Sequence, residues 1–336
     1  MSAPRDYVQE LTTLCRSYTI DQETTQSLIG FWNCYAQAIQ AQSHDEKEGW
    51  KTFVTLIEQV VYYLKHPFHF AAFHQAKRTP FDYYKLGLDF VRPLIDMRCS
   101  TVSGIEVLTS FEKTLARKEN IILFANHQAE IDPQIISVLI EKHTPQLAEN
   151  MIFVAGHRVT TDPLAVPLSL GRNLFCIYSK RHVDNPPEKK AEKLAHNSRT
   201  LKVMQELLSH GGCCIYVAPS GGRDRRNEEG VVEVAPLDPQ SVEMFYLMGQ
   251  KAKNVHFHTL ALSTYALLPP PNGILQEIGA KRITHFAPAH LFFGPELDME
   301  ALGNAHNIED KKLRRKARAD AIWQQIVDEY TTFSRK

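Results

Sequence analysis

The sequence predicts an α/β protein in which an N-terminal helical bundle precedes a larger α/β domain, with a central mixed sheet flanked by helices. Two observations carry that expectation. Beyond residue 79, five short apolar runs at 121–125, 151–155, 174–178, 213–218 and 255–260 alternate with segments of helical pattern. Such alternation builds a central sheet with helical cover. Ahead of them, the first 85 or so residues keep helical spacing and contain little proline or glycine. A chain of 336 residues exceeds the usual single-domain length, and the expected division is 1–78 for the bundle and 79–336 for the α/β domain.

The elements follow in order. Asp21 is placed to cap a helix running to about Gln42. After the polar stretch 42–48, Phe53, Leu56, Ile57, Val60, Val61 and Leu64 recur with the spacing of one buried helix face. Thr79 before Pro80, with Asp82 at the third helical position, reads as the next helix start. In the α/β region the clearest helices run from Pro133 to about Lys142 and from Pro187 to His210. The second stops at Gly211-Gly212 and aligns Leu194, Leu201, Met204, Leu207 and Leu208. A helix from about Glu309 to Phe333 closes the chain.

Composition bounds the function. With 38 basic against 38 acidic side chains there is no overall basic field, and no nucleic-acid partner is expected. Six cysteines without paired spacing read as buried, reduced thiols of a cytosolic-type compartment. The first residues lack the apolar core of a signal peptide. No stretch approaches the roughly 18 consecutive apolar residues of a membrane span. The expectation is a cytoplasmic protein working from water, with room for transient membrane contact.

Three polar stretches each follow an apolar run. The first is Leu-Phe-Ala-Asn126-His127-Gln-Ala-Glu-Ile-Asp132. Its spacing leaves two readings open: Asp132 caps the following helix and His127 is incidental, or the loop folds the imidazole back onto the carboxylate. In the second, one ring nitrogen bonds Asp132 and the other is left as a general base. The second stretch, Tyr178-Ser-Lys-Arg-His182, gathers cations where ligands of open α/β sheets collect. The third, Ala218-Pro-Ser-Gly-Gly-Arg-Asp-Arg-Arg226, joins a glycine turn to arginine forks suited to phosphate oxygens. Neither G-x-S-x-G nor H-E-x-x-H occurs. His66, His69 and His74 lack an acidic co-ligand, and His256 and His258 read as strand packing or surface residues. No metal and no cofactor are expected. The basic stretch 311–318 reads as a solvated face or as docking surface for an acidic partner.

Together with Leu268-Pro-Pro-Pro271, these stretches, in this order, resemble the soluble glycerol-3-phosphate acyltransferases, plastid-type enzymes with bacterial relatives. The likeness runs from about residue 79 to 294 and includes Pro80-Phe-Asp-Tyr-Tyr84 and Arg92-Pro-Leu-Ile-Asp96. It implies direct transfer of a fatty acyl group from a thioester to the 1-hydroxyl of sn-glycerol 3-phosphate. In that plan His127 is the general base, Asp132 orients it, and Arg181, His182, Arg223 and Arg225 hold the phosphate. Arg181 stands where the family usually has lysine, so a planar fork replaces a point charge there. The implied donor is acyl-(acyl-carrier-protein), with acyl-coenzyme A as an alternative. The acidic carrier would be steered by Arg314, Arg315, Lys316 and Arg318, or by Lys189 and Lys190. Backbone amides near Gly221-Gly222 are candidates for stabilising the developing oxyanion. A plant-type processed form would belong in the plastid stroma. The alternatives are a 1-acyl-glycerol-3-phosphate acyltransferase of the same superfamily and a non-catalytic lipid or carrier-protein binding module.

Overall fold

The computed structural model describes residues 6–42, 44–252, 254–270, 282–304 and 309–335; the side chains of Lys180, Arg181, Asn304, Ser334 and Arg335 lie outside that description, as does Pro271 of the proline motif. Helices α1 (Tyr7–Ser17), α2 (Gln22–Ala41) and α3 (Glu46–Lys65) open the chain. Asp6, Asp21 and Asp45 cap them, each carboxylate accepting an amide of the first turn. Their apolar faces meet in an aromatic cluster in which the Trp32 and Trp50 rings lie 4.8 Å apart. Strand β1 (Phe73–His74) follows, then helix α4 (Tyr83–Val91). Tyr35 stacks on Phe90 of α4 at 4.7 Å and donates to its carbonyl at 3.1 Å. Asp82, not Thr79, caps α4, because its carboxylate is the group that accepts the Lys85 amide.

The α/β region then contributes β2 (Thr101–Ser103), α5 (Ile105–Ala116), β3 (Asn120–Ala125), α6 (Asp132–Ile140), α7 (Pro145–Asn150), β4 (Ile152–Gly156), α8 (Arg158–Thr161), α9 (Val166–Leu170) and β5 (Asn173–Ile177). After these come α10 (Lys180–Val183), α11 (Lys190–His210), β6 (Cys214–Val217), the small hairpin β7 (Arg225–Arg226) and β8 (Val232–Glu233), and α12 (Pro239–Lys251). The last elements are β9 (Val255–Ser263), β10 (His290–Glu296), α13 (Met299–Asn304) and α14 (Lys311–Thr331).

Among the described residues the main sheet has eight strands in the order β1-β5-β4-β6-β3-β9-β10-β2. The central five, β5-β4-β6-β3-β9, are parallel. Strand β10 runs antiparallel to β9, β2 runs parallel to β10, and β1 closes the other edge antiparallel to β5. The sheet is mixed, as expected.

Helices cover both faces, which is why the parallel strands read as unbroken apolar runs. Every residue of β3 is buried. Ile121, Leu123 and Ala125 point into the core shared with the N-terminal helices, and Ile122 and Phe124 into the core shared with Phe245 of α12 and Ile322 and Ile326 of α14. The parallel strands all deliver their carboxyl ends, Ala125, Gly156, Ile177, Val217 and Ser263, to one rim. The site is built there.

One smaller expectation is corrected. Cys99 is exposed and Cys34 half-buried, while Cys15, Cys176, Cys213 and Cys214 are buried as expected. Cys99 sits in the turn closed by the Asp96 carbonyl, away from either core. Among the described residues no helix is long and apolar enough to cross a membrane.

Candidate active site

The chain leaves β3 at Asn126, whose side chain is fully buried. Its Nδ2 donates to Asp224 Oδ2 (2.7 Å) and to the Leu262 carbonyl (2.9 Å), and its Oδ1 accepts the Leu262 amide (2.7 Å). Tyr216 donates its hydroxyl to the Asn126 carbonyl at 2.8 Å. Gln128 repeats the pattern: Nε2 donates to Asp224 (3.1 Å), and Oε1 accepts the amides of Thr264 (2.7 Å) and Tyr265 (2.9 Å). Two buried amide side chains therefore tie the loop after β3 to those after β6 and β9. His127 lies between these anchors, and its carbonyl accepts the Asp224 amide at 2.7 Å.

The imidazole does fold back onto the carboxylate. His127 Nδ1 donates to Asp132 Oδ2 at 2.8 Å, with the His127 side chain 33% exposed and the carboxylate 1%. A carboxylate only accepts, so the hydrogen sits on Nδ1 and the lone pair of the neutral ring on Nε2. Asp132 also accepts the amides of Gln128 (2.8 Å) and Ala129 (3.0 Å) and the Thr264 hydroxyl (2.6 Å). These donors explain a departure from expectation: Asp132 is the first residue of α6 rather than its cap, and Ile131 holds the cap position without a side-chain bond. Its oxygens face back toward the loop because four donors converge on them from that side.

Cations stand on the loops after the neighbouring strands, and the Arg223 guanidinium feels the Asp132 charge. Arg223 is half-buried and Arg225 exposed in the turn after β6, where Gly221 takes φ +70°, a conformation that favours glycine. Burial pulls the Arg223 guanidinium below its ordinary value; Glu130 and Asp132 oppose this, and Arg158 and Arg225 reinforce it. His182 is exposed on α10 after β5, and its carbonyl accepts Lys193 Nζ at 2.7 Å. Arg181 lies on α10 as well, but its side chain is outside the described residues.

The reading of the sequence missed several participants. Arg158 opens α8 just past β4, in the same strand-then-cation pattern that flagged the other stretches. Glu130 lies inside the first motif and binds Arg282 Nε at 2.5 Å, while Arg282 Nη2 reaches Asp162 at 2.8 Å. Thr264 follows the run at 255–260 as a polar residue at a strand end, a signal of the same kind. Asp224 is buried by the loop, and that burial pushes its carboxyl above the usual range against the donors Ala235, Asn126 and Gln128. Among the described residues no group of three or more His, Cys, Asp or Glu side chains is arranged to hold a metal ion.

A family model described as Acyltransferase matches residues 100–263, the span that contains the His127–Asp132 pair, Arg223 and Arg225 of the third stretch and Arg158. The chain is 41% identical over 276 residues to the chloroplastic glycerol-3-phosphate acyltransferase ATS11 of Cucurbita moschata, covering 82% of this chain and 61% of that protein. Against the chloroplastic glycerol-3-phosphate acyltransferase of Pisum sativum it is 39% identical over 277 residues, covering 82% and 60%. With that of Carthamus tinctorius the identity is 33% over 318 residues, covering 93% of this chain and 68% of the relative. The chain belongs to the glycerol-3-phosphate acyltransferase family. It spans about three-fifths of the length of three of these chloroplastic relatives, 61%, 59% and 60%.

In this family member the basic stretch on α14 differs from the expected open surface. Arg318 is 6% exposed, donates through Nε to the Met299 carbonyl at 2.7 Å and pairs with Glu243. Arg315 lies 3.6 Å from the same Glu243, and Lys316 pairs with Asp320. Arg315, Lys316 and Arg318 are thus paired with Glu243 and Asp320, Lys311 and Lys312 are exposed, and Arg318 packs over the Tyr246 ring at 4.1 Å.

Proposed function

We propose that this chain transfers a fatty acyl group from an acyl thioester to the 1-hydroxyl of sn-glycerol 3-phosphate, giving 1-acyl-sn-glycerol 3-phosphate. The observation that carries the reading is the His127–Asp132 pair, its tautomer held at a sheet rim crowded with cations. His127 Nε2 takes the proton of the 1-hydroxyl as its oxygen attacks the thioester carbonyl. The tetrahedral adduct collapses, the C–S bond breaks, and the imidazolium returns the proton to the departing thiolate. No acyl-enzyme forms, so no serine or cysteine nucleophile is required. An alcohol ionises far above neutral pH, and a placed base is worth about 10²–10⁴-fold.

Arg223, Arg225, His182 and Arg181 bind the phosphate and fix the hydroxyl beside Nε2. Amides of the Gly221-Gly222 turn serve the thioester oxygen. Acyl-(acyl-carrier-protein) is the proposed donor. With Arg318 buried, the cations left to steer it are Arg314 and Lys189 with their exposed lysine neighbours. The plastid stroma is the compartment supported by relatives whose names read chloroplastic.

The test supplies purified protein with labelled acyl thioester and either glycerol 3-phosphate or 1-acyl-glycerol 3-phosphate. Label in lysophosphatidic acid from the first acceptor alone is expected. Label only in phosphatidic acid from the second would reassign the acceptor, and no transfer to either would remove the enzyme.

A further inference from the structure

We infer that Arg158 is a further phosphate-binding residue of the acceptor site, supplied by the strand between those that carry the proposed arms of the clamp. The inference rests on the phosphate-clamp reading above. In the sheet, β4 lies between β5 and β6. The clamp leaves β5 through His182 and β6 through Arg223 and Arg225, so whatever stands at the carboxyl end of β4 falls between the arms. That end is Gly156, in register with Ile177 of β5. The chain turns there at His157, whose ring lies 4.5 Å from the Tyr178 ring, and Arg158 opens α8 directly after it.

The electrostatics of the neighbours agree with this placement. The charges acting on His157 include His182, and those acting on Arg223 include Arg158, Arg225 and Glu130. Arg158 is thus within electrostatic reach of the β6 arm, and its neighbour His157 within reach of the β5 arm. The two acids nearby, Glu130 and Asp162, are both bound by Arg282, whose side chain is 7% exposed. Among the described residues no carboxylate lies within ion-pair distance of Arg158 or Arg223. Glu130 attracts both guanidiniums but is itself bound by Arg282, so it offsets their mutual repulsion only in part, and a dianion between them removes the remainder. A phosphate monoester offers three terminal oxygens, enough to accept from a fork on each side.

The experiment measures kcat/KM for glycerol 3-phosphate and for glycerol, with the same thioester, in the wild type, Arg158→Gln and Arg223→Gln. Glycerol shares the reacting hydroxyl and lacks the phosphate, so a folding defect lowers both values and leaves their ratio. In Arg158→Gln the ratio is expected to fall about 10- to 100-fold, the range for losing a hydrogen bond to a charged group. Arg158→Lys, still charged but without the fork, should lower it by a smaller factor. An unchanged ratio in both Arg158 variants, with a fall in Arg223→Gln, overturns this inference alone. An unchanged ratio in Arg223→Gln as well overturns the clamp reading beneath it.

Discussion

Four donors converge on the Asp132 carboxylate, and only one of them is the imidazole. The other three hold the acceptor oxygens in place, so the histidine has one low-energy orientation. Asp132→Asn keeps the shape but places an amide where two oxygens are required. It is expected to lower kcat by about 10²- to 10⁴-fold with little change in KM for glycerol 3-phosphate. A rise in KM at constant kcat would assign Asp132 to binding instead. Thr264→Val leaves three donors and should cost about tenfold or less, measured in the same assay. The pair itself was legible because its members are five residues apart. Thr264, Gln128 and Asp224 were not, because their partners come from loops after β6 and β9, some 100 residues away in sequence, as in the Gln128–Asp224 bond with a separation of 96. The arginines of the proposed phosphate clamp were legible as a charge run, while the acid that sets their surroundings, Glu130, is matched by Arg282 from 152 residues further along.

At the scale of elements, legibility followed burial. The central parallel strands are covered on both faces and stand out as apolar runs; β1, β2 and β10 lie toward the edges and carry mixed residues that give no such signal. Helix α14 adds a titrating element. Its Glu329 accepts from Thr259 at 2.6 Å and Gln325 at 3.1 Å, its Oε2 is buried without a partner, and burial pushes its carboxyl up to about 7. A folded-state value above the unfolded 4.5 means that the folded chain binds this proton more tightly. The resulting stability is full below about 4.5 and is lost as pH rises through about 7. Glu329→Gln mimics the protonated form, so its melting temperature should match the wild type near pH 4.5 and exceed it at pH 8. Superimposable pH profiles would contradict this. Gly104, at φ +72°, would place a Cβ 2.0 Å from the Phe293 carbonyl oxygen. Gly104→Ala should therefore lower the melting temperature by several degrees.

The whole molecule shows why the parts act together. Apolar side chains of α1–α3 belong to the same core as Leu123 of β3, and Phe73 of β1 pairs with Phe175 of β5. The proposed division at 78/79 is thus one of chain organisation, with both parts resting on a shared core. Thermal unfolding is expected as a single cooperative transition, and two resolved transitions would contradict that sharing. The balanced charge read from composition concealed a polarised rim, because a sum over 76 ionisable groups, 38 of each sign, carries no positions.

The central claim is that His127 is the base. The most direct measurement is single-turnover acyl transfer to saturating glycerol 3-phosphate by wild type and His127→Ala, with glycerol 3-phosphate binding measured separately. A rate lower by about 10²–10⁴-fold or more with unchanged affinity is the predicted result. Turnover equal to the wild type would contradict it and leave the pair a structural clasp at the end of β3.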